Sequence, residues 1–117
     1  MKYTKLGRTG LDCSLLGFGT WQIGGGRWKG IDPKKSVSLL RHAADCGVNT
    51  FDAAIVYGQY RGQSTEKISH SLAMLGKAFD SSARSEIIIC LKVGQIDEYS
   101  HRANYTPHRV VAQVQRA

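Results

Sequence analysis

Gly47-Val48-Asn49-Thr50-Phe51-Asp52-Ala53-Ala54-Ile55-Val56-Tyr57-Gly58 is the stretch on which the fold turns. Residues 48–54 are rich in β-branched and apolar side chains and predict a strand that carries Asp52 near its carboxyl end. Gly47 can take the left-handed conformation that stops a helix, and the residues before it have helical spacing. Asp32 is placed to cap that helix and Pro33 to open it. Val37, Leu40 and Ala44 then recur beside Leu39, Ala43 and Cys46. A helix, a glycine stop and a strand are therefore predicted over residues 33–54.

The same alternation extends in both directions. On the amino side, residues 3–6 and 11–15 flank Gly7-Arg8-Thr9-Gly10, whose glycines suit a tight reversal, and so predict a hairpin. Residues 15–20 predict a buried strand running into Gly24-Gly25-Gly26, which suits either a flexible connection or a loop that moves on ligand binding. On the carboxyl side, Ile68, Leu72, Leu75 and Phe79 mark one face of a second helix over residues 64–79. After a polar break at 81–85, the unalternating run Ile87-Ile88-Ile89-Cys90-Leu91 is expected of a parallel strand covered on both faces. Thr106-Pro107 opens a third helix, with Val110, Val111 and Val114 as its apolar side. A hairpin followed by alternating strands and helices implies an α/β fold with parallel strands and right-handed crossovers. Two architectures accommodate this order. An open doubly wound sheet suits the length, whereas a (β/α)8 barrel needs about 250 residues and would make this chain the opening of something longer.

The 117 residues, 42% apolar and 21% charged, have the composition of about one globular domain, here spanning residues 1–117, and exclude disorder and disulfide-framed miniproteins. No apolar run approaches the ~18 residues of a membrane span and no signal-peptide pattern follows Met1, so a cytoplasmic protein without a membrane partner is expected. Cys13, Cys46 and Cys90 are odd in number and lack a Cys-x-x-Cys pair, which predicts reduced thiols, Cys46 and Cys90 buried. No metal site is expected, because His42, His70, His101 and His108 lack ligand spacing. The net charge of +7 is spread along the chain with no run longer than Lys34-Lys35. That pattern favours a solvated surface over a nucleic-acid partner, although it can draw in an anionic ligand. Gly17-Phe18-Gly19-Thr20-Trp21-Gln22 has Gln22 where a dinucleotide-binding loop needs its third glycine, and is not a Rossmann phosphate loop.

Chemistry is most concentrated at three residues. Asp52 and Lys92 lie near the carboxyl ends of adjacent predicted strands, where parallel α/β folds bind ligands, and Tyr57 follows Asp52 by five residues. A lysine beside a carboxylate keeps its charge, and a phenol beside that ammonium has its anionic form favoured, which suits a general acid. An Asp52–Lys92 salt bridge that merely stitches two strand ends is the plainer account of the same spacing. Trp21 and Trp28, near the same mouth, suit a pocket lining or simple packing.

Four blocks together resemble the opening third of an aldo-keto reductase. They are Lys5-Leu6-Gly7-Arg8-Thr9-Gly10-Leu11, Leu16-Gly17-Phe18-Gly19-Thr20-Trp21, the run from Gly47 to Gly58, and Leu91-Lys92-Val93-Gly94. The resemblance implies an N-terminal hairpin plus the first three strand–helix units of a (β/α)8 barrel, left incomplete. It implies an NADPH-dependent oxidoreductase that reduces the carbonyl of a small molecule to an alcohol. Asp52, Tyr57 and Lys92 match three members of a catalytic tetrad, with Tyr57 as proton donor. Gly19, Thr20, Trp21 and Asp52 match positions near the nicotinamide end of the cofactor. The tetrad histidine and the segments that hold the cofactor's adenosine and phosphate belong, in the family, to later strands. Ala53 stands where threonine is usual, Thr65 where glutamate is usual and Ser69 where glycine is common. Three strands cannot close a barrel, so the third is expected to leave an unpaired edge, and the helices to expose apolar faces. Such an edge offers self-association, and a non-catalytic interaction module is the alternative function.

Overall fold

A computed structural model describes residues 1–29, 31–59, 69–96 and 102–117. Strands β1 (Tyr3–Lys5) and β2 (Asp12–Ser14) form the expected antiparallel hairpin. Its turn uses Gly7 and Gly10, both at positive φ. Asn49 then fastens the hairpin to the main sheet. Its side-chain oxygen accepts from the Ser14 amide at 2.7 Å, its side-chain nitrogen donates to the Asp12 carbonyl at 2.7 Å, and its own amide donates to Ser14 Oγ at 3.1 Å.

The main sheet is parallel, in the order β3 (Phe18–Gly19), β4 (Thr50–Ala54), β5 (Ile88–Lys92). Side chains of a strand alternate between faces, so Phe51 and Ala53 of β4 and Ile89 and Leu91 of β5 share one side. Helices α2 (Pro33–Asp45) and α3 (His70–Ala78) cover that side, and Phe51, Leu40, Leu72, Met74, Leu75 and Phe79 make its core. The Phe51 ring lies 5.0 Å from that of Phe79 and 6.0 Å from that of Phe18. Helix α2 starts as expected: Asp32 accepts from the amides of Lys34 and Lys35 and Pro33 fills the first position. Arg41 then joins the two helices by donating to the carbonyls of Lys77 and Ala78, each at 3.1 Å, at the end of α3.

Two expectations of burial are corrected, one on the opposite side of the sheet and one at the end of α2. Strand β5 is not covered on both faces: Cys90 is exposed, because it points away from the side that α2 and α3 cover. Cys46 is exposed as well, since it caps α2 at the surface. The first parallel strand is shorter than residues 15–20; Leu15 and Leu16 precede it and stay exposed. Helix α3 begins at His70 with Ser69 as its cap, and the expected start at residues 64–68 lies outside the described residues, as do Thr65 and His101. A four-residue helix, α1 (Trp21–Gly24), was not foreseen.

The last helix, α4 (Pro107–Arg116), is held by a polar residue. Gln113 is buried, accepts from the Gly94 amide at 2.7 Å and donates to the Gln95 carbonyl at 3.1 Å. Val111 and Val114 remain exposed, as the expectation of uncovered helix faces has it. Among the described residues β5 pairs with β4 alone, so its other edge is unpaired.

The core places most weight on Phe51, which is fully buried and contacts two rings. Phe51→Ala should lower unfolding free energy by about 3–5 kcal/mol, because it removes the ring and leaves a cavity. Urea denaturation followed by circular dichroism would measure the loss.

Candidate active site

Backbone register builds the site. Gly19, Asp52 and Cys90 are direct partners across the three strands, and Ala54 is partnered with Lys92. Lys92 is thus two residues beyond the partner of Asp52, on the same face, and its four-carbon stem spans that offset. Its ammonium forms a salt bridge with both oxygens of the Asp52 carboxylate. Both side chains are 47% exposed, so the pair lies at the rim of the open face and is not buried at high cost. Half-exposed ion pairs contribute only about 0–1 kcal/mol to stability. The pair therefore adds little to stability, whether or not it also serves a ligand.

Tyr57 follows β4 in a turn, with its amide donating to the Ala54 carbonyl at 3.2 Å. The Lys92 ammonium lies 5.1 Å from the centre of its ring. Burial works against the charged form of Lys92, yet the Asp52 carboxylate and then the Tyr57 hydroxyl outweigh it, holding the ammonium above lysine's ordinary 10.5. Lys92 is consequently a fixed positive charge at every physiological pH. Asp52, Tyr57 and Lys92, three of the residues expected to work together, do converge.

The four expected cofactor residues differ in what they offer. Gly19 is exposed beside Asp52, and a Cβ built on it would meet nothing within 4 Å, so the backbone there is open to a ligand. Asp52 presents its carboxylate to the same open face. Thr20 is fully buried: its amide and hydroxyl both donate to the Asp52 carbonyl, at 3.0 and 2.8 Å. Its side chain thereby fixes the backbone of Asp52. Trp21 stacks on Tyr57, with ring centres 5.8 Å apart and planes 21° apart.

Two contacts were not specified by the sequence, although Trp28 was expected near the mouth as pocket lining or packing and Gly24 in a glycine-rich connection. Trp28 meets Trp21 edge to face, with ring centres 5.3 Å apart and planes at 89°. Gly24 and Gly58 bring two backbones into contact, since a Cβ on Gly58 would fall 2.3 Å from the Gly24 carbonyl oxygen. The signal available for both was the glycine run between two tryptophans, which is a defined turn with positive φ at Gly25 and Gly26. Among the described residues, no group of three or more His, Cys, Asp or Glu side chains is arranged to hold a metal ion.

Comparison with known proteins bears on this arrangement directly. The Aldo/keto reductase family model matches residues 15–117, a span that contains every residue of the site. The chain belongs to the aldo/keto reductase family. It is 33% identical over its whole length to the aldo-keto reductase YhdN of Bacillus subtilis, of which it covers 33%. It is 31% identical over 100 residues to the NADH-specific methylglyoxal reductase of Escherichia coli, a match covering 84% of this chain and 28% of that one. A Pseudomonas aeruginosa structure described as an aldo-keto reductase superposes with a TM-score of 0.75 at 29% identity, covering 97% of this chain and 40% of the other. The chain therefore spans between a quarter and a third of the length of the curated relatives it matches. Its hairpin and three parallel strand–helix units are an open portion of the (β/α)8 barrel of this family.

Gly58 tests how tightly the family turn is held. At φ +82 its conformation is one that side chains rarely adopt, and an added Cβ would strike the Gly24 carbonyl. Gly58→Ala should destabilise the chain by more than ~1 kcal/mol from the backbone conformation alone. A lowered midpoint in thermal unfolding, with the Tyr57 ring displaced from Trp21 in the near-ultraviolet circular dichroism, is the expected result.

Proposed function

We propose that these residues form the catalytic end of a nicotinamide-dependent carbonyl reductase, with NADPH as cofactor and a small aldehyde or ketone as substrate. The observation that carries this is the Lys92 ammonium, held by the Asp52 carboxylate and set against the Tyr57 ring. Gly19, with open space at its Cβ position, and the Asp52 carboxylate beside it fit the nicotinamide end of such a cofactor, with Trp21 bordering it. A nicotinamide held there supplies a hydride to the substrate's carbonyl carbon.

The chain's own residues handle the proton. Tyr57 donates its hydroxyl hydrogen to the carbonyl oxygen as negative charge develops there, giving the alcohol. The charge left on the phenol oxygen is offset by the neighbouring ammonium, which is already in place and needs no reorganisation. Asp52 keeps Lys92 aimed and protonated, and Thr20 keeps Asp52 in position by holding its carbonyl. Water reprotonates the phenol after the product leaves.

We infer that residues 1–117 carry the hydride and proton chemistry, and that firm grip on the cofactor's phosphates comes from the rest of a barrel. A second reading, association through the open face, draws on the unpaired edge of β5 and the exposed Val111 and Val114. Loss of oligomers on sedimentation when a proline interrupts β5 would favour it.

Joining residues 1–117 to the remainder of the Bacillus subtilis relative tests the catalytic reading. The chimera should reduce a small dicarbonyl at the expense of NADPH, and Tyr57→Phe should lower its kcat by about 10²–10⁴-fold. Turnover that survives Tyr57→Phe would contradict the assignment.

A further inference from the structure

Trp28 is the second ring of an aromatic chain that ends on the proton donor. It is 45% exposed, so it adds little to the core, and its described ring partner is Trp21. The backbone between the two is shaped for that meeting. Trp21 opens α1, Ile23 and Gly24 bury the end of that helix, and Gly25 and Gly26, both at positive φ, reverse the chain. The Trp28 amide closes the turn on the Gly25 carbonyl at 3.3 Å. The edge of one indole then abuts the other at 89°, while Trp21 lies at 21° to the Tyr57 ring.

We propose that Trp28 is a positioning residue for Tyr57: it braces Trp21, and the braced Trp21 fixes the phenol ring beside Lys92. This rests on the reading of Tyr57 as proton donor. The need for such a brace follows from where Tyr57 sits. It is only half-buried, it follows β4 in a turn, and the ring stacked against it, Trp21, belongs to another element. A proton donor must hold its hydroxyl within a narrow range of direction, and a ring free to swing about its side-chain bonds does not do so. Trp21 opens a four-residue helix, and its plane lies between the Tyr57 ring and the Trp28 edge. With the Trp28 edge against it, both aromatic contacts are of the offset or edge-on kinds that rings prefer. The Gly24–Gly58 backbone contact joins the turn carrying Trp28 to the turn carrying Tyr57, so brace and donor move as one unit.

The test reads ring placement and not turnover, which keeps its failure distinct from failure of the catalytic reading. Tyrosine rings are labelled with carbon-13 in the 117-residue chain, and the Tyr57 signal is assigned as the one lost in Tyr57→Phe. In the parent chain the stacked indole should shift the Tyr57 ring protons upfield of an exposed tyrosine. Trp28→Ala should return them toward the exposed value while the amide signals of β4 and β5 stay in place. Trp28→Phe, which keeps an aromatic edge, should restore the shift. Trp28→Leu keeps apolar bulk without the edge and should behave like Trp28→Ala, which covers the case in which the alanine variant does not fold. An unshifted Tyr57 in the parent, an unchanged shift in Trp28→Ala or Trp28→Leu, or collapse of the β4 and β5 signals in both would overturn the proposal.

Discussion

Lys92 reaches Asp52 only because β4 and β5 run parallel in one register, with Asp52 opposite Cys90 and Ala54 opposite Lys92. A slip of one residue would turn Lys92 to the face that Phe51 and Ala53 occupy and would drive an ammonium into the core. The register is itself held from both sides. Ile89 and Leu91 need the covered face that α2 and α3 provide, and the Ile88 amide donates to the Asn49 carbonyl at 2.7 Å where β5 begins. Packing on one face of the sheet thus decides where charge stands on the other. The chemistry of the site is a by-product of the hydrophobic core in this strict sense.

A second constraint acts on Asp52 through its backbone. Thr20 uses both its amide and its hydroxyl on a single carbonyl oxygen, so the carboxylate projects from a strand that cannot shift without leaving a buried hydroxyl unpaired. Buried, unpaired donors are costly, on the order of 1–3 kcal/mol. Thr20 is therefore best understood as support for the ion pair. The electrostatic consequence is one-sided: Lys92 stays positive through the whole neutral range, and the phenol beside it never faces a neutral amine there.

Much of the fold was legible in residues 33–54, because Asp32, Pro33 and Gly47 each have one well-defined backbone job and perform it here. The convergence of Asp52, Tyr57 and Lys92 was equally legible, since carboxyl ends of neighbouring parallel strands share a mouth. What the sequence hid follows from surfaces. An unbroken apolar run such as 87–91 looks the same whether one face or both are covered, and only the arrangement of α2 and α3 shows that Cys90 stands on the open side. Apolar residues at 15 and 16 likewise suit a strand, although they sit in the exposed link between the hairpin and the sheet. The sequence places Trp21 and Trp28 near the mouth, but the aromatic chain from Trp28 to Tyr57 depends on left-handed glycines, and glycines in a row permit many turns while specifying none.

The most direct measurement of the central claim is a pH titration of the Lys92 side-chain nitrogen by nitrogen-15 NMR, in the parent chain and in Asp52→Asn. The folded-state value is raised, so the ion pair should be fully formed below lysine's ordinary 10.5 and lost only as the pH climbs through the higher midpoint. The account predicts a midpoint above 10.5 in the parent that falls in Asp52→Asn, where burial remains but the carboxylate charge is gone. A parent midpoint at or below 10.5, or one that Asp52→Asn leaves in place, would contradict it.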